Sequence, residues 1–467
     1  MTRKCFNRLA ILVAGVVLVG AASRPAAAQA AAQGAAAQDQ SKTTYTLPEY
    51  NAFQAANSEK DPQARLKLLD DFVAKYPNST LMQYVYGVYY TTYNQLKNYP
   101  KTIEYVDKLV ALGDKADAQA RLGALQVRIF VFPAILPSII KGPDAQAQIT
   151  KERDAALDGA NILSQLPKPA AFTGTDDEWN KQKLPGLNFF YAGAGFADLQ
   201  LKDYPAAVQA FKNALTNKPD DNVSAYRLGV AYLGMSPPQY LDGFWALARA
   251  IDLKVPDADK VKDYLQKQIL AYEQPGCDSQ ASDQVNELLQ LAQNSPERPA
   301  TWTLPSQADL KTIQQASNIL SLIADLGAGG DKAKMTWLAI CGAEFPEVVG
   351  KIIDVKPGDT FVDFMVYTGA SADDMQNATT ANMDVKVWTA APPAGSTAAG
   401  AAGTTPVPPQ PDVARLQKDD PIRFSGTLVS YDPSPLMLHW DQVKVDPTII
   451  PEKGNAGKHK PVPKKNQ

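Results

Sequence analysis

Apolar positions recur at helical spacing through the first half of the chain and turn to one-in-two alternation in its last quarter. Tyr50, Phe53 and Ala56 share one helical face, and Ala64, Leu68, Leu69 and Phe72 form the next before a break at Tyr76, Pro77 and Asn78. A second pair of helices carries Tyr84, Gly87, Val88 and Tyr90, then Ile103, Val106, Leu109 and Val110, with Asn98 to Pro100 closing one and opening the other. Arg121 to Val131 reads as helix, and Phe132, Pro133, Leu136, Pro137 and Pro143 predict an interruption after it. Helix resumes near Gln146, carries Ala156, Ala160 and Leu163, and stops at Pro167. The polar stretch Lys168 to Lys183 predicts an insertion loop.

The clearest pattern runs from Phe189 to Pro219. Small residues at Ala192, Gly195 and Ala197 allow a second helix to lie close, and that helix offers Ala207, Phe211, Ala214 and Leu215. Lys202, Asp203 and Tyr204 make the turn between them. The next pair repeats the scheme with Ala225, Tyr226, Leu228, Gly229, Ala231 and Tyr232, then Ala248, Ala250 and Ile251. Gly195 and Gly229 stand 34 residues apart. A helix pair of this kind cannot bury both faces alone, so it requires similar neighbours stacked on it.

Tyr191, Gly195, Ala207, Phe211, Ala214 and Pro219 match the W…G…A…F…A…P pattern of tetratricopeptide repeats, and the chain resembles that family over roughly residues 48 to 255. Asp198 departs from the pattern where the family usually has Tyr, and Tyr232 restores the aromatic one repeat later. Ser236, Pro237 and Pro238 displace the last repeat's second helix. The resemblance implies an all-α superhelical solenoid over residues 47–273, with Asp259 to Tyr272 as a polar-faced terminal helix. It also implies a concave groove lined by Leu81, Tyr84 and Val88, by Phe189, Ala192, Phe196 and Leu199, and by Val223, Tyr226, Val230 and Leu233. That surface is apolar and aromatic, unlike the basic grooves that clamp carboxylates, which argues against an acidic peptide tail as ligand. Either a partner peptide or protein fills it, or a neighbouring helix or the chain's own linker does.

Residues 274–344 predict a helical connector in which Ser282 to Ala292 forms one helix. Another runs from an N-cap at Ser306 to a C-cap at Gly327 and carries Leu310, Ile313, Leu320 and Ile323. Beyond Phe345 the alternation predicts strands at Val348 to Val355, Thr360 to Tyr367, Met383 to Trp388, Ile422 to Tyr431 and Leu436 to Val445. A Gly/Ala/Pro/Thr tract at 390–411 is too poor in large apolar residues to pack and reads as a disordered insertion. Five strands, Gly350 inside the first, and the segment KDDPIRFSGTLVSY at Lys418 to Tyr431 resemble an OB-fold of the tRNA-anticodon-binding-like class, spanning 345–446. A generic β-sandwich is the alternative. The architecture expected is therefore α then β: a helical solenoid followed by a small five-stranded β-barrel.

Composition refines this picture at the ends. Arg3, Lys4 and Arg8 precede an apolar run from Leu9 to Ala22 and small residues at Ala26, Ala27 and Ala28, the grammar of a cleaved signal peptide over residues 1–28. The run is short for a membrane span, which needs about 20 residues, and no transmembrane span is expected in the mature chain; an uncleaved anchor is the alternative reading. Residues 29–46 read as a flexible lead-in and the Lys- and Pro-rich 447–467 as a disordered tail. Export leaves Cys277 and Cys341. A disulfide between them would stabilise by roughly 4 kcal/mol in the chain-entropy model; the other reading is two buried thiols.

The net charge of −3 over 467 residues argues against a protein that coats nucleic acid or an anionic membrane. Phe345 to Asp446 holds 7 Lys and Arg against 13 Asp and Glu, a net of −6 that would repel a phosphate backbone. With His439 and His459 as the only histidines, and no HExxH, CxxC, GxSxG or phosphate-loop pattern, no cofactor or metal is expected. Alternation puts His439 opposite Leu438 and Trp440, on the barrel's outer face or in a groove. Gly327 to Gly330 follows a helix, the context of a helix stop rather than a nucleotide loop. Asp373-Asp374 and Asp419-Asp420 fall at turns. The chain reads as an exported, non-enzymatic interaction scaffold of the cell envelope that binds a protein or peptide through the repeat groove. The competing reading is a cell-wall or glycan-associated factor with a cryptic hydrolase activity.

Overall fold

The computed structural model describes residues 45–273, 278–391 and 407–452. The expected signal peptide, most of the lead-in, Cys277, most of the insertion tract and most of the tail lie outside them. The chain forms two compact units that divide between Ala258 and Asp259.

The first unit is a tetratricopeptide-like solenoid of helix hairpins: α1 (Leu47–Ser58) with α2 (Pro62–Lys75), α3 (Met82–Gln95) with α4 (Tyr99–Val110), α5 (Ala118–Ile139) with α6 (Ala145–Gln165), α7 (Asp176–Leu201) with α8 (Tyr204–Asn217), and α9 (Asn222–Gly234) with α10 (Tyr240–Asp252). Local chemistry writes the turns. The sequence Leu-Lys-Asn-Tyr-Pro at 96–100 returns as Leu-Lys-Asp-Tyr-Pro at 201–205. In both, the lysine takes a left-handed conformation (φ 55° at Lys97, 60° at Lys202), and the following Asn98 or Asp203 caps the next helix through its side chain. Proline then occupies a first-turn position whose N–H has no intrahelical partner anyway.

Close approach holds the α7–α8 and α9–α10 hairpins together. A Cβ on Gly195 would lie 2.8 Å from the Phe211 ring, and one on Gly229 would lie 2.7 Å from Leu247. Both partners are fully buried, each contributing roughly 2–3 kcal/mol by removal from water. Each glycine is thus present because an opposing side chain occupies the space. Asn188 and Asn222, again 34 residues apart, tie the hairpin ends: Asn188 donates to the Ala214 carbonyl and to Asp221, and Asn222 to the carbonyls of Leu253 and Lys254.

Two helices run further than the sequence pattern predicts. α5 continues through Pro133 and Pro137, because Ile129 and Phe132 before the prolines, Leu136 between them and Ile139 after them are all packed on neighbouring helices. That burial outweighs the roughly 3 kcal/mol that an interior proline costs. α7 starts at Asp176, inside the stretch that reads as an insertion loop. A Thr175–Glu178 capping box opens it, and the first turn carries three acidic residues. Its polar residues are used: Trp179 donates to the Leu166 carbonyl and Lys183 to that of Ser164. Among the described residues α5 is the one helix long and apolar enough to cross a membrane by length and composition. It is a central helix of this unit, with Leu122, Leu125, Arg128, Ile129 and Phe132 buried.

The second unit begins with α11 (Ala258–Glu273), the helix that the pattern assigns to the end of the stack, and α12 (Asp278–Asn294). Lys262 and Gln284 hydrogen-bond across the pair, to Asn286 and Glu273. The single helix expected from Ser306 to Gly327 is two, α13 (Gln307–Ala316) and α14 (Ile319–Ala328). Asn318 breaks it by taking an extended conformation and capping α14. Gly329 and Gly330, both at positive φ, then turn the chain into α15 (Gly330–Ile340). These helices are more than a connector: Leu310, Leu322, Leu326, Ala333, Ala339 and Ile340 belong to one core with the strands that follow.

Those strands are β1 (Glu344–Pro357), β2 (Phe361–Tyr367), β3 (Met383–Trp388), β4 (Pro421–Pro433) and β5 (Leu436–Val445), with a short α16 (Ala372–Asn377) between β2 and β3. They close into a barrel in the order β1-β2-β3-β5-β4, all pairs antiparallel except β3 with β5. Closure falls on β1, which pairs with β2 over its second half and with β4 over its first. Register shifts at Phe345/Val348 and Ile352/Asp354 bend it between the two. Gly350 sits at the bend, where a Cβ would lie 2.4 Å from Val366 and 2.7 Å from the Tyr367 carbonyl. The end of the insertion tract is ordered: Gln410 bridges β3 and β5 through Trp388, Val443 and Val445, and Val413 and Leu416 enter the barrel core.

Gly350→Ala should lower unfolding stability by roughly 1–3 kcal/mol in denaturant titration, since the Tyr367 backbone cannot yield cheaply. Gly327→Ala, whose Cβ would meet Leu436 at an ordinary 3.5 Å inside a helix, should be neutral or slightly stabilising.

Candidate binding surfaces

In the first unit the odd-numbered helices from α3 onward contact one another in series, α3 with α5, α5 with α7, and α7 with α9. They therefore form one continuous layer, the layer to which the family resemblance assigns the groove. The predicted residues divide within it. Tyr84 is 48% exposed, and Val88, Phe189, Ala192, Val223, Tyr226, Val230 and Leu233 are partly exposed. Leu81, Phe196 and Leu199 are buried, at 4%, 8% and 8%. Leu81 packs with Phe72 and Tyr89, Leu199 with Phe211 and Leu228, and Phe196 with Phe132 and Ile149. These three serve the core more than any surface, because helix spacing gives a residue's face and not whether the next hairpin covers it.

A cation that the pattern does not reveal sits on this layer. The Arg227 guanidinium lies 4.5 Å from the centre of the Phe196 ring, which in turn meets Phe132 edge-on at 6.1 Å. Burial holds the guanidinium pKa down, at about 10, so it remains charged at neutral pH. Asp198, the departure from the family pattern, is 3% exposed with Oδ1 lacking a hydrogen-bond partner among the described residues. Burial pushes its carboxyl up to about 6 against the pull of Arg153, and Asp203 and Asp154 push the same way.

The most developed polar feature lies elsewhere, among α4, α5 and α6. A cavity of about 450 Å³ opens there, walled by Pro100 and Ile103 of α4, Phe132, Ile135 and Ile139 of α5, and Lys151 of α6. Arg128 lines it while being nearly buried, at 6% side-chain exposure. Its Nε donates to Glu152 Oε2 at 2.9 Å and its Nη1 to Asp107 Oδ1. Glu152 is 1% exposed and its Oε1 has no hydrogen-bond partner among the described residues. Burial raises its carboxyl more than Arg128 lowers it, and Asp107 adds to the rise, leaving it at about 8. Nothing in a linear pattern pairs Arg128 with residues 24 positions later and 21 earlier; the one available signal is a charged residue inside an otherwise apolar run.

The barrel places His439 on its outer face, as alternation predicts, between two carboxylates: Nδ1 is 3.3 Å from Asp384 and Nε2 3.0 Å from Asp432. Asp373 and Asp374 open α16, with Ser371 and Asp374 forming a capping box, and Asp419 sits at positive φ and pairs with Lys351. Of the barrel's aromatics, Phe364, Phe424 and Trp440 are core, and Trp388 is 7% exposed and donates to Asp441. Lys386 lies over the rings of Phe361 and Trp388. Among the described residues no group of three or more His, Cys, Asp or Glu is arranged to hold a metal ion. Cys341 is 2% exposed and disulfide-bonded; Cys277, the candidate partner in one of the two sequence readings, lies outside the described residues.

No protein-family model and no curated protein matches the chain. Among solved structures, the C-terminal part of a TPR repeat-containing protein from Cytophaga hutchinsonii aligns over 53% of this chain and 95% of that one, at 15% identity and a TM-score of 0.23. A score that low adds nothing to the fold read from the helix contacts themselves.

The Glu152 carboxyl predicts a pH dependence of folding. Its folded pKa, about 8, lies above the ordinary 4.5, so the folded state binds more protons than the unfolded state between those values. The contribution is fully present below pH 4.5 and is lost as pH rises through about 8. Thermal unfolding of Glu152→Gln, which keeps an acceptor for Arg128, should show a flatter fall in Tm between these limits than the parent protein.

Proposed function

We propose that this chain is an exported, non-enzymatic interaction protein of the cell envelope, in which the helical unit takes a partner peptide or protein along the α3–α5–α7–α9 layer. The observation that carries the reading is the continuity of that layer together with Tyr84, 48% exposed, and the partly exposed Tyr226 and Val230 on it. Aromatic residues on a rigid helical scaffold are effective contact anchors, because little conformational entropy is lost when they are covered. Arg227 over Phe196 adds a cation to the apolar surface, so the partner segment is apolar with a nearby acceptor.

The barrel is read as an OB-type accessory domain. The reading rests on its five-strand order, its long shared first strand and the glycine at the bend. Its net charge of −6 over Phe345 to Asp446 favours a protein contact over a nucleic acid. Export rests on the N-terminal sequence grammar alone.

The test uses photo-crosslinking residues introduced at Tyr84 and Tyr226 in the full chain within its native cells, with Lys212 on α8 as an outer-face control. One partner should crosslink from positions 84 and 226 and not from 212, and Tyr84→Ala with Tyr226→Ala should reduce its recovery at least several-fold with folding intact. Equal crosslinking from all three positions would refute the layer as the binding face. Enrichment of cell-wall glycan without protein, or turnover of a glycan substrate, would favour the competing reading.

A further inference from the structure

The cavity beside Arg128 arises from a mismatch in hairpin length. Helices α3 and α4 have 14 and 12 residues, whereas α5 and α6 have 22 and 21. At 1.5 Å per residue the longer pair overshoots by roughly 12 Å. On the α7 side the overshoot is covered, with Phe196, Ala197 and Leu201 packed on Phe132, Ile135, Ile139 and Ile149. On the α4 side the helix begins at Tyr99, too late to cover the end of α5, and the cavity opens against Pro100 and Ile103. Its volume of about 450 Å³ falls within the range of roughly 300–1,000 Å³ typical of small-molecule sites.

The charges in its wall are arranged for a monoanion. Arg128 is fixed by Glu152 on one side and Asp107 on the other, and its Nη2 has no hydrogen-bond partner among the described residues. The guanidinium is therefore held in place before any ligand arrives, and one N–H edge remains to receive an acceptor. Lys151, on the same wall, is exposed and adds a second positive charge. Asp107 opposes them, as does Glu152 when ionised, which disfavours a dianion such as a phosphate monoester. Phe132, Ile135 and Ile139 on one side and Pro100 and Ile103 on the other make the apolar part of the wall, which Ser138 and Gln148 also line.

We propose that this cavity is a binding site for a small amphiphilic carboxylate, its head on Arg128 Nη2 and the Lys151 ammonium and its apolar body along Phe132, Ile135 and Ile139. The site shares α5 with the helical layer proposed to hold a protein partner, but neither proposal depends on the other. One carboxylate oxygen meets the free Nη2 edge, so recognition is single-point at the arginine.

The test is calorimetric titration of the full chain with octanoate, octanol, octylamine and octyl phosphate. Octanoate should bind saturably at one site. Octanol should bind at least about tenfold more weakly, because a charge-assisted hydrogen bond is lost, and octylamine should not bind. Octyl phosphate should bind more weakly than octanoate. Arg128→Met would also strip Glu152 and Asp107 of their partner, so two variants at more exposed positions carry the test. Ile139→Trp, which fills the cavity, should abolish binding with an unchanged circular dichroism spectrum, and Lys151→Gln should weaken it several-fold. Equal affinity for octanoate and octanol, no saturable heat with octanoate, or parental binding by Ile139→Trp would each overturn the proposal.

Discussion

A helix hairpin covers one of its faces by folding on itself and leaves another that something else must cover, and the first unit is built around meeting that requirement repeatedly. Gly195 under Phe211 and Gly229 under Leu247 bring the two helices of a hairpin into contact. Asn188 and Asn222 satisfy carbonyls where hairpins end. The odd-numbered helices then become neighbours of one another, which creates a surface that no single hairpin possesses. Phe196 shows the consequence. It is covered on one side by Phe132 and Ile149 and on the other by Arg227, so it supports that surface from beneath instead of forming it.

Where successive hairpins differ in length, cover fails. The step between α3–α4 and α5–α6 is the place where this unit holds both a cavity and a buried guanidinium. The two belong together. A charge this far inside the stack requires partners, and Glu152 and Asp107 reach it from the helices on either side. The pairing is incomplete, since one carboxylate oxygen and one guanidinium nitrogen lack hydrogen-bond partners among the described residues. Incomplete satisfaction of this kind costs stability, and it is the arrangement expected of a place that receives a ligand.

The barrel meets the corresponding problem for a sheet, whose edges must be paired or hidden. One long strand, β1, serves two neighbours and removes both edges at once, and Gly350 permits the bend that this requires. Helices α13 to α15 and the turn at Val413 and Leu416 supply the rest of its core. Residues that look like a linker along the chain are therefore part of the domain they precede.

Most of the secondary structure was legible from the chain alone. Helical spacing acts over a few neighbouring positions, so it located the hairpins, Gly195 and Gly229 gave their 34-residue period, and alternation located all five strands. The failures share a cause. Pro133 and Pro137 read as a break and Asn318 went unnoticed as one, because the cost of a broken helix is weighed against packing with residues far away in sequence. Leu81, Phe196 and Leu199 read as surface for the same reason. Spacing along the chain determined which residues share a face. Only the tertiary structure decided which faces are covered, how Arg128 meets Glu152 and Asp107, and where the stack leaves an opening, because burial and charge pairing depend on distances that local sequence does not encode.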